Sequence, residues 1–176
     1  MARGLGISTA CLLVAAALTA CVPAPQNISI SAAYDADQAR AALTPGANQI
    51  TGQAFLRQQG GGVVTCAGSE VSLLPHTDYA AERISALYGN TSKGYIDYGP
   101  LYAAPIVTPD PPAYVVNRKT AVCDAQGNFK FTDVSPGTYY VVVPVLWSVA
   151  NARQGGSLMQ KVVVAPNENP ELILTT

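Results

Sequence analysis

Charge of either sign is scarce in this chain. Ten Lys and Arg stand against eleven Asp and Glu in 176 residues, the charged fraction is 12 %, and the formal net charge is −1. No basic field exists to hold a nucleic-acid backbone. Histidine occurs once, as His76, so neither a His-based metal site nor a His-driven nucleophile is expected. No apolar run approaches the roughly 20 residues that span a bilayer as a helix. What the chain does have is apolar residues, 49 % of the total. That places it well outside the disordered class, and its length fits one domain with flanking sequence.

Part of the apolar excess lies at the start, "MARGLGISTACLLVAAALTAC". Arg3 precedes a short uncharged run, Leu12 to Leu18, which reads as an export signal rather than an anchor helix. The run ends in Leu18-Thr19-Ala20-Cys21, which resembles the bacterial lipobox. There, small residues fit a narrow peptidase site and the cysteine thiol takes the diacylglyceryl group. Residues 1–20 are therefore expected to be a lipoprotein signal peptide, with Cys21 lipidated and acylated by a palmitate-type chain. Val22, not aspartate, follows Cys21, which by the lipoprotein sorting rule favours the outer membrane. Cys11 leaves with the signal, so Cys66 and Cys123 remain in an oxidising compartment and are expected to form a disulfide tying two strand ends.

Residues 21–48 carry Pro23, Pro25 and Pro45 and read as a lipid-anchored tether, of reach at most about 90 Å. Within it, "DADQARAAL" is suited to one or two helical turns, with Asp35 or Asp37 as cap and Pro45-Gly46 as stop. The domain is expected over 49–176, in short runs separated by Gly, Pro, Asn and Asp. The first alternates from Ile50, and "SEVSLLP", "YVVNRKTAV" (114–122), "NFKF", "TYYVVVPVLW", "SLMQKVVV" and "ELILTT" follow. Seven such runs predict an all-β antiparallel sandwich. One short helix interrupts them, "TDYAAERISALYGN", with Asp78 as cap and Gly89 as its left-handed end. A Tyr- and Pro-rich loop follows, and helix and loop make an insertion at about 78–112.

The segment "CDAQGNFKFTDVSPGTYYVVV" (123–143) supplies two turns and two strands. Asp124 and Gly127 suit a tight turn, and Ser135-Pro136-Gly137-Thr138 suits a type II turn with Gly137 at positive φ. This stretch resembles the D-x-x-G-x-F-x-F-x-x-(V/L)-x-P-G-x-Y-x-(L/V) signature of carboxypeptidase regulatory-like domains. The upstream "GQAFLRQQGGGVVTCAGSEVSLLP" is similar to the first two strands of that family. The resemblance covers roughly residues 50 to 165. It implies a prealbumin/transthyretin-like Greek-key sandwich, related in architecture to Cna B-type repeats and not itself a peptidase. The Lys–Asn cross-link of some Cna B-type domains is not expected, because "ITGQAFLRQ" has no lysine.

The carboxylates Glu70, Asp78, Glu82, Asp97, Asp110, Asp124 and Asp133 are scattered, several of them at turns or caps. No catalytic residue, metal ligand or cofactor is therefore expected. Six of nine tyrosines lie in or beside the insertion. They either pack it onto a sheet or form a contact surface, for which Tyr88, Tyr95, Tyr98 and Tyr102 are the candidates. The expected function is that of a non-enzymatic cell-envelope lipoprotein, membrane-bound by its lipid. Its sandwich would serve as a structural or protein-interaction module with an envelope protein partner. The alternative is a carbohydrate- or peptide-binding module using the Tyr-rich insertion.

Overall fold

The computed structural model describes residues 25–99, 105–108 and 110–176. In chain order the elements are β1 (Asn27–Ser29), α1 (Ala36–Ala42), β2 (Asn48–Arg57), β3 (Val63–Thr65), β4 (Glu70–Pro75), α2 (Asp78–Tyr88), β5 (Lys93–Asp97), β6 (Ile106–Thr108), α3 (Pro112–Val116), β7 (Lys119–Val122), β8 (Asn128–Val134), β9 (Gly137–Val149), β10 (Ala152–Val164) and β11 (Glu171–Leu174). Among the described residues there are thus eleven strands. The seven expected runs are all represented, as β2, β4, β7, β8, β9, β10 and β11. Four shorter strands, β1, β3, β5 and β6, were not expected.

Two sheets carry the sandwich. The larger has the order β5-β10-β9-β4-β7; in the smaller, β2 pairs with β11, β3 and β8. Alternation sends Val71 and Leu73 of β4, Val141, Val143 and Val145 of β9, and Leu158 and Val162 of β10 to one face. They meet Ile50, Ala54 and Leu56 of β2, Phe129 and Phe131 of β8, and Leu172 and Leu174 of β11. This is the sheet-on-sheet core that period-two patterning builds. Cys66, just after β3, and Cys123, just after β7, form a disulfide with Cα atoms 5.8 Å apart. Those strands belong to different sheets, so the expected staple joins the two layers.

The sandwich is not wholly antiparallel. β11 runs parallel to β2, and β1 parallel to β6. The chain leaves β10 in one sheet and enters β11 in the other, and that crossover frees β11 from hairpin geometry. Buried Asn48 fixes the crossover by donating Nδ2 to the carbonyls of Ala165 (2.8 Å) and Glu168 (2.6 Å).

β9 is apolar on both faces because both are covered. Its other face, with Tyr140 and Val142, joins Leu74 and Met159 in a second cluster under α2, Tyr114 of α3, and Ile30, Ala32 and Tyr34. The ladder from β4 stops at Val142, so Pro144, which lacks an N–H, lies beyond it. Residues 25–48 are accordingly no free tether. β1 pairs with β6, Tyr34 packs edge-on to Tyr79 and Tyr114 (both 5.6 Å), and Ala39 of α1 is buried. The α1 expectation itself holds: Asp35 caps the helix, accepting from the N–H groups of Asp37 and Gln38.

Three local expectations give way. Thr77 rather than Asp78 caps α2, accepting from the Ala80 N–H at 3.1 Å, while Gly89 ends it in the left-handed region as expected. The run 114–122 is not one strand, because its first part is α3. There Pro111 and Pro112 preset a helical first turn, and burial of Tyr114 outweighs the strand preference of Val115 and Val116. Gly137 is not at positive φ; Asp133 is, at 55°. The type II turn is replaced by a corner in which the Tyr139 hydroxyl reaches the carbonyls of Ser135 (2.9 Å) and Ala42 (2.8 Å). The turn at Asp124 forms as expected, with its carboxylate accepting from Gln126 and Asn128 and Gly127 at φ 82°.

Candidate functional site

β5, the edge strand that the insertion adds to the larger sheet, organises the candidate surface. Tyr95 lies in β5, Tyr98 just after it and Tyr88 at the end of α2, and these tyrosines fall on two faces of the sheet rather than on one. Tyr88 and Tyr98 lie on the outer face, Tyr95 on the inner. Cys21 and Tyr102 lie outside the described residues.

On the outer face, α2 and the described residues 105–108 and 110–118 border the sheet around a groove of about 360 Å³. Tyr88 and Tyr98 line it, as do Arg83, Asp110, Arg118 and Ser157. The groups in it are engaged with one another. Arg83 Nη2 pairs with Asp110 Oδ2 at 3.0 Å, and the Tyr79 hydroxyl donates to Asp110 Oδ1 at 2.8 Å. The Arg83 guanidinium sits 5.0 Å from the centre of the Tyr114 ring. Tyr88 shares a 2.8 Å hydrogen bond with Ser157, and burial raises its phenol above the ordinary tyrosine range. The Arg153 guanidinium lies 5.5 Å from the centre of the Tyr98 ring. Here the tyrosines chiefly pack the insertion onto the sheet.

The inner face differs. β9 and β10 pair over 13 residues each, whereas β2 in the facing sheet ends at Arg57. The end of the larger sheet therefore overhangs. Beneath it is a hollow of about 580 Å³, lined by Tyr95, Asp97, Trp147, Gln154 and the residues Arg57 to Gly60. Gln154 is opposite Trp147 in register, and Asp97 is opposite Gly156. The rings lie where side chains are missing. A β-carbon on Gly155, at φ 92°, would stand 2.7 Å from the Trp147 ring and 2.1 Å from Val145 O. One on Gly156 would stand 2.7 Å from the Tyr95 ring and 1.9 Å from Ile96 O. Burial, with Asp97 beside it, raises the Tyr95 phenol.

The other ionisable groups are dispersed. Glu70 pairs with Arg118, and Glu82 binds the backbone of Ser31 and Ala32. His76 stacks on Tyr140 with ring centres 5.5 Å apart. Among the described residues no three His, Cys, Asp or Glu side chains converge as metal ligands, and no helix is long and apolar enough to cross a membrane.

Trp147 was not among the expected site residues. Its alternation with Val143 and Val145 assigns it to the core, and only the shortness of the facing strand leaves it uncovered. Unequal strand lengths were the available signal.

No protein-family model matches the chain, and no curated protein matches it. Solved structures do. A proposed carbohydrate-binding protein from Pseudomonas aeruginosa aligns at TM-score 0.64 and 22 % identity, over 81 % of this chain and 97 % of the other. The group B streptococcus pilus 2b backbone protein aligns at TM-score 0.33 and 16 % identity, over 74 % of this chain and 41 % of its own. Chlorocatechol 1,2-dioxygenase from Pseudomonas putida aligns at 0.31 and 13 %, over 86 % and 66 %. The first likeness shows a shared all-β sandwich fold.

Proposed function

We propose that this chain is a non-enzymatic, lipid-anchored module of the bacterial outer membrane that binds carbohydrate. The observation that carries the reading is the overhanging sheet end. There two aromatic rings and several planar polar side chains border one solvent-open hollow, the composition by which proteins hold hydroxyl-rich ligands. The carbohydrate-binding description of the Pseudomonas aeruginosa structure is in keeping with it. The regulatory-like signature at 123–143 adds a family in which such sandwiches accompany other activities without catalysing.

A glycan array probed with the purified chain tests the binding reading, with binding to at least one glycan class as the expected result. Absence of glycan binding, together with recovery of one envelope protein that needs residues 78–112, would instead establish the protein-contact reading. The anchor has its own test. Labelled palmitate should enter the wild-type chain and not Cys21→Ser; equal labelling would remove the lipid assignment.

A further inference from the structure

The glycan array asks whether sugar binds. The overhang goes further, to where it binds and which sugars fit. On a fully covered sandwich, an inner-face residue of β9 meets the opposing sheet. Trp147 continues the inward series Val143, Val145, but the opposing strand β2 has already ended at Arg57. The half-buried ring packs against the core, and it lines a hollow with Arg57 and the residues that follow β2, Gln58 to Gly60. Tyr95, on edge strand β5 with β10 between it and β9, is packed in the same half-buried way. The Trp147 ring lies over Gly155 and the Tyr95 ring over Gly156, and both rings line the same hollow.

The polar groups are arranged around that hollow. Asp97 and Gln154 rise from the same sheet face, and Arg57 and Gln58 approach from the end of β2. Carboxylate and carboxamide groups pair with two vicinal hydroxyls, while an aromatic face takes the C–H face of a sugar ring. The lining holds one carboxylate, Asp97, and one guanidinium, Arg57, so its formal charge cancels. A uronic acid would bring a carboxylate to Asp97 without a surplus cation to receive it. A ligand without charge meets no such cost. The hollow's 580 Å³ is within the range of small-ligand sites.

We infer, resting on the carbohydrate reading above, that the overhang is the sugar site and that it takes a neutral pyranoside. The sugar stacks on Trp147 and Tyr95 and is held through its hydroxyls by Asp97 and Gln154. The site carries its own reporter, since Trp147 is the only tryptophan in the sequence.

The test is fluorescence titration of the full chain with neutral oligosaccharides (maltotriose, cellotriose, N-acetyl-chitotriose) and with an oligogalacturonate, using array hits to extend the set. The expected result is a saturable change in Trp147 emission with a neutral sugar. Trp147→Ala, followed by calorimetry, should weaken binding at least about tenfold, the loss typical of an aromatic anchor. Asp97→Asn and Gln154→Ala should weaken it too. These last two decide the matter if Trp147→Ala fails to melt cooperatively. Sugar binding that survives all three substitutions, or that is lost instead in Tyr98→Ala at the outer groove, overturns the site and leaves the carbohydrate reading standing. Preference for the oligogalacturonate overturns the neutral class alone. No binding to any glycan overturns both.

Discussion

The Glu82 carboxylate accepts the backbone N–H groups of both Ser31 and Ala32 at 2.8 Å, tying the N-terminal segment to the second turn of α2. Ser31 Oγ adds a third donor at 3.0 Å. Those two backbone bonds, first Ser31 and then Ala32, with the Ser31 hydroxyl, hold the Glu82 carboxyl below its ordinary range. A depressed folded-state pKa means that the contact contributes fully above the unfolded pKa and is lost as pH falls through the folded one. Glu82→Ala at neutral pH should therefore expose the Ser31 and Ala32 amides to faster hydrogen exchange while β9 and β10 stay protected. Acidification of the wild type should loosen the same segment. Unchanged exchange at Ser31 in the variant would show that pairing of β1 with β6 holds the segment alone.

The bridge between the layers has a definite scale. Cys66 and Cys123 are 57 residues apart, and cross-linking a loop of that length lowers the entropy of the unfolded chain by an equivalent of roughly 4 kcal/mol in the loop-closure model. The non-reduced protein should weigh two hydrogens less than the reduced form. Cys66→Ser with Cys123→Ser should lower unfolding free energy by up to that amount in chemical denaturation. Two alkylatable thiols in the native protein would contradict the pairing.

Tyr139 is a core ring with a polar end. One hydroxyl proton is shared between the carbonyls of Ala42 and Ser135, the first in the α1 segment, the second just before β9. Tyr139→Phe keeps the ring and removes the donor, so it should cost about 1 kcal/mol. Denaturant titration measures this directly. A neutral effect would mean that water replaces the phenol at both carbonyls.

The glycine pair under the two rings separates two kinds of substitution. Gly155→Ala places a methyl 2.1 Å from Val145 O on backbone at φ 92°, and should destabilise by about 2–4 kcal/mol. Gly60→Ala, with nothing within 4 Å of the new carbon, should change stability by less than about 0.5 kcal/mol. Equal melting temperatures for the two variants would mean that Gly155 is not as tightly packed as the distances state.

Local chemistry made much of this fold readable. Alternation from Ile50, the Asp124–Gly127 turn and the doubly apolar "TYYVVV" each report on their own few residues, and each stands where it was expected. What could not be read depends on residues far away in the chain. β5 is five residues with one glycine, too short to show a period, and is a strand because β10 lies beside it. Tyr114 is helical because Tyr34 and Tyr79 wait around it. The tyrosine surface was half legible: the crowding of tyrosines was visible, but not that Tyr95 within β5 and Tyr98 just after it would part to opposite faces of the sheet. Trp147 was missed because exposure there is decided by where another strand stops.

The docking of residues 27–42 bears on the proposed anchorage. A free linker up to Asn48 would let the domain roam about 90 Å from a lipidated Cys21, whereas pairing from Asn27 leaves six residue steps, about 20 Å at full extension. If Cys21 carries lipid as proposed, that leash would hold the sandwich close to the headgroups in a restricted set of orientations. Its ligands would then be met in the layer next to the membrane, and polymer further out would have to come to the surface to be held.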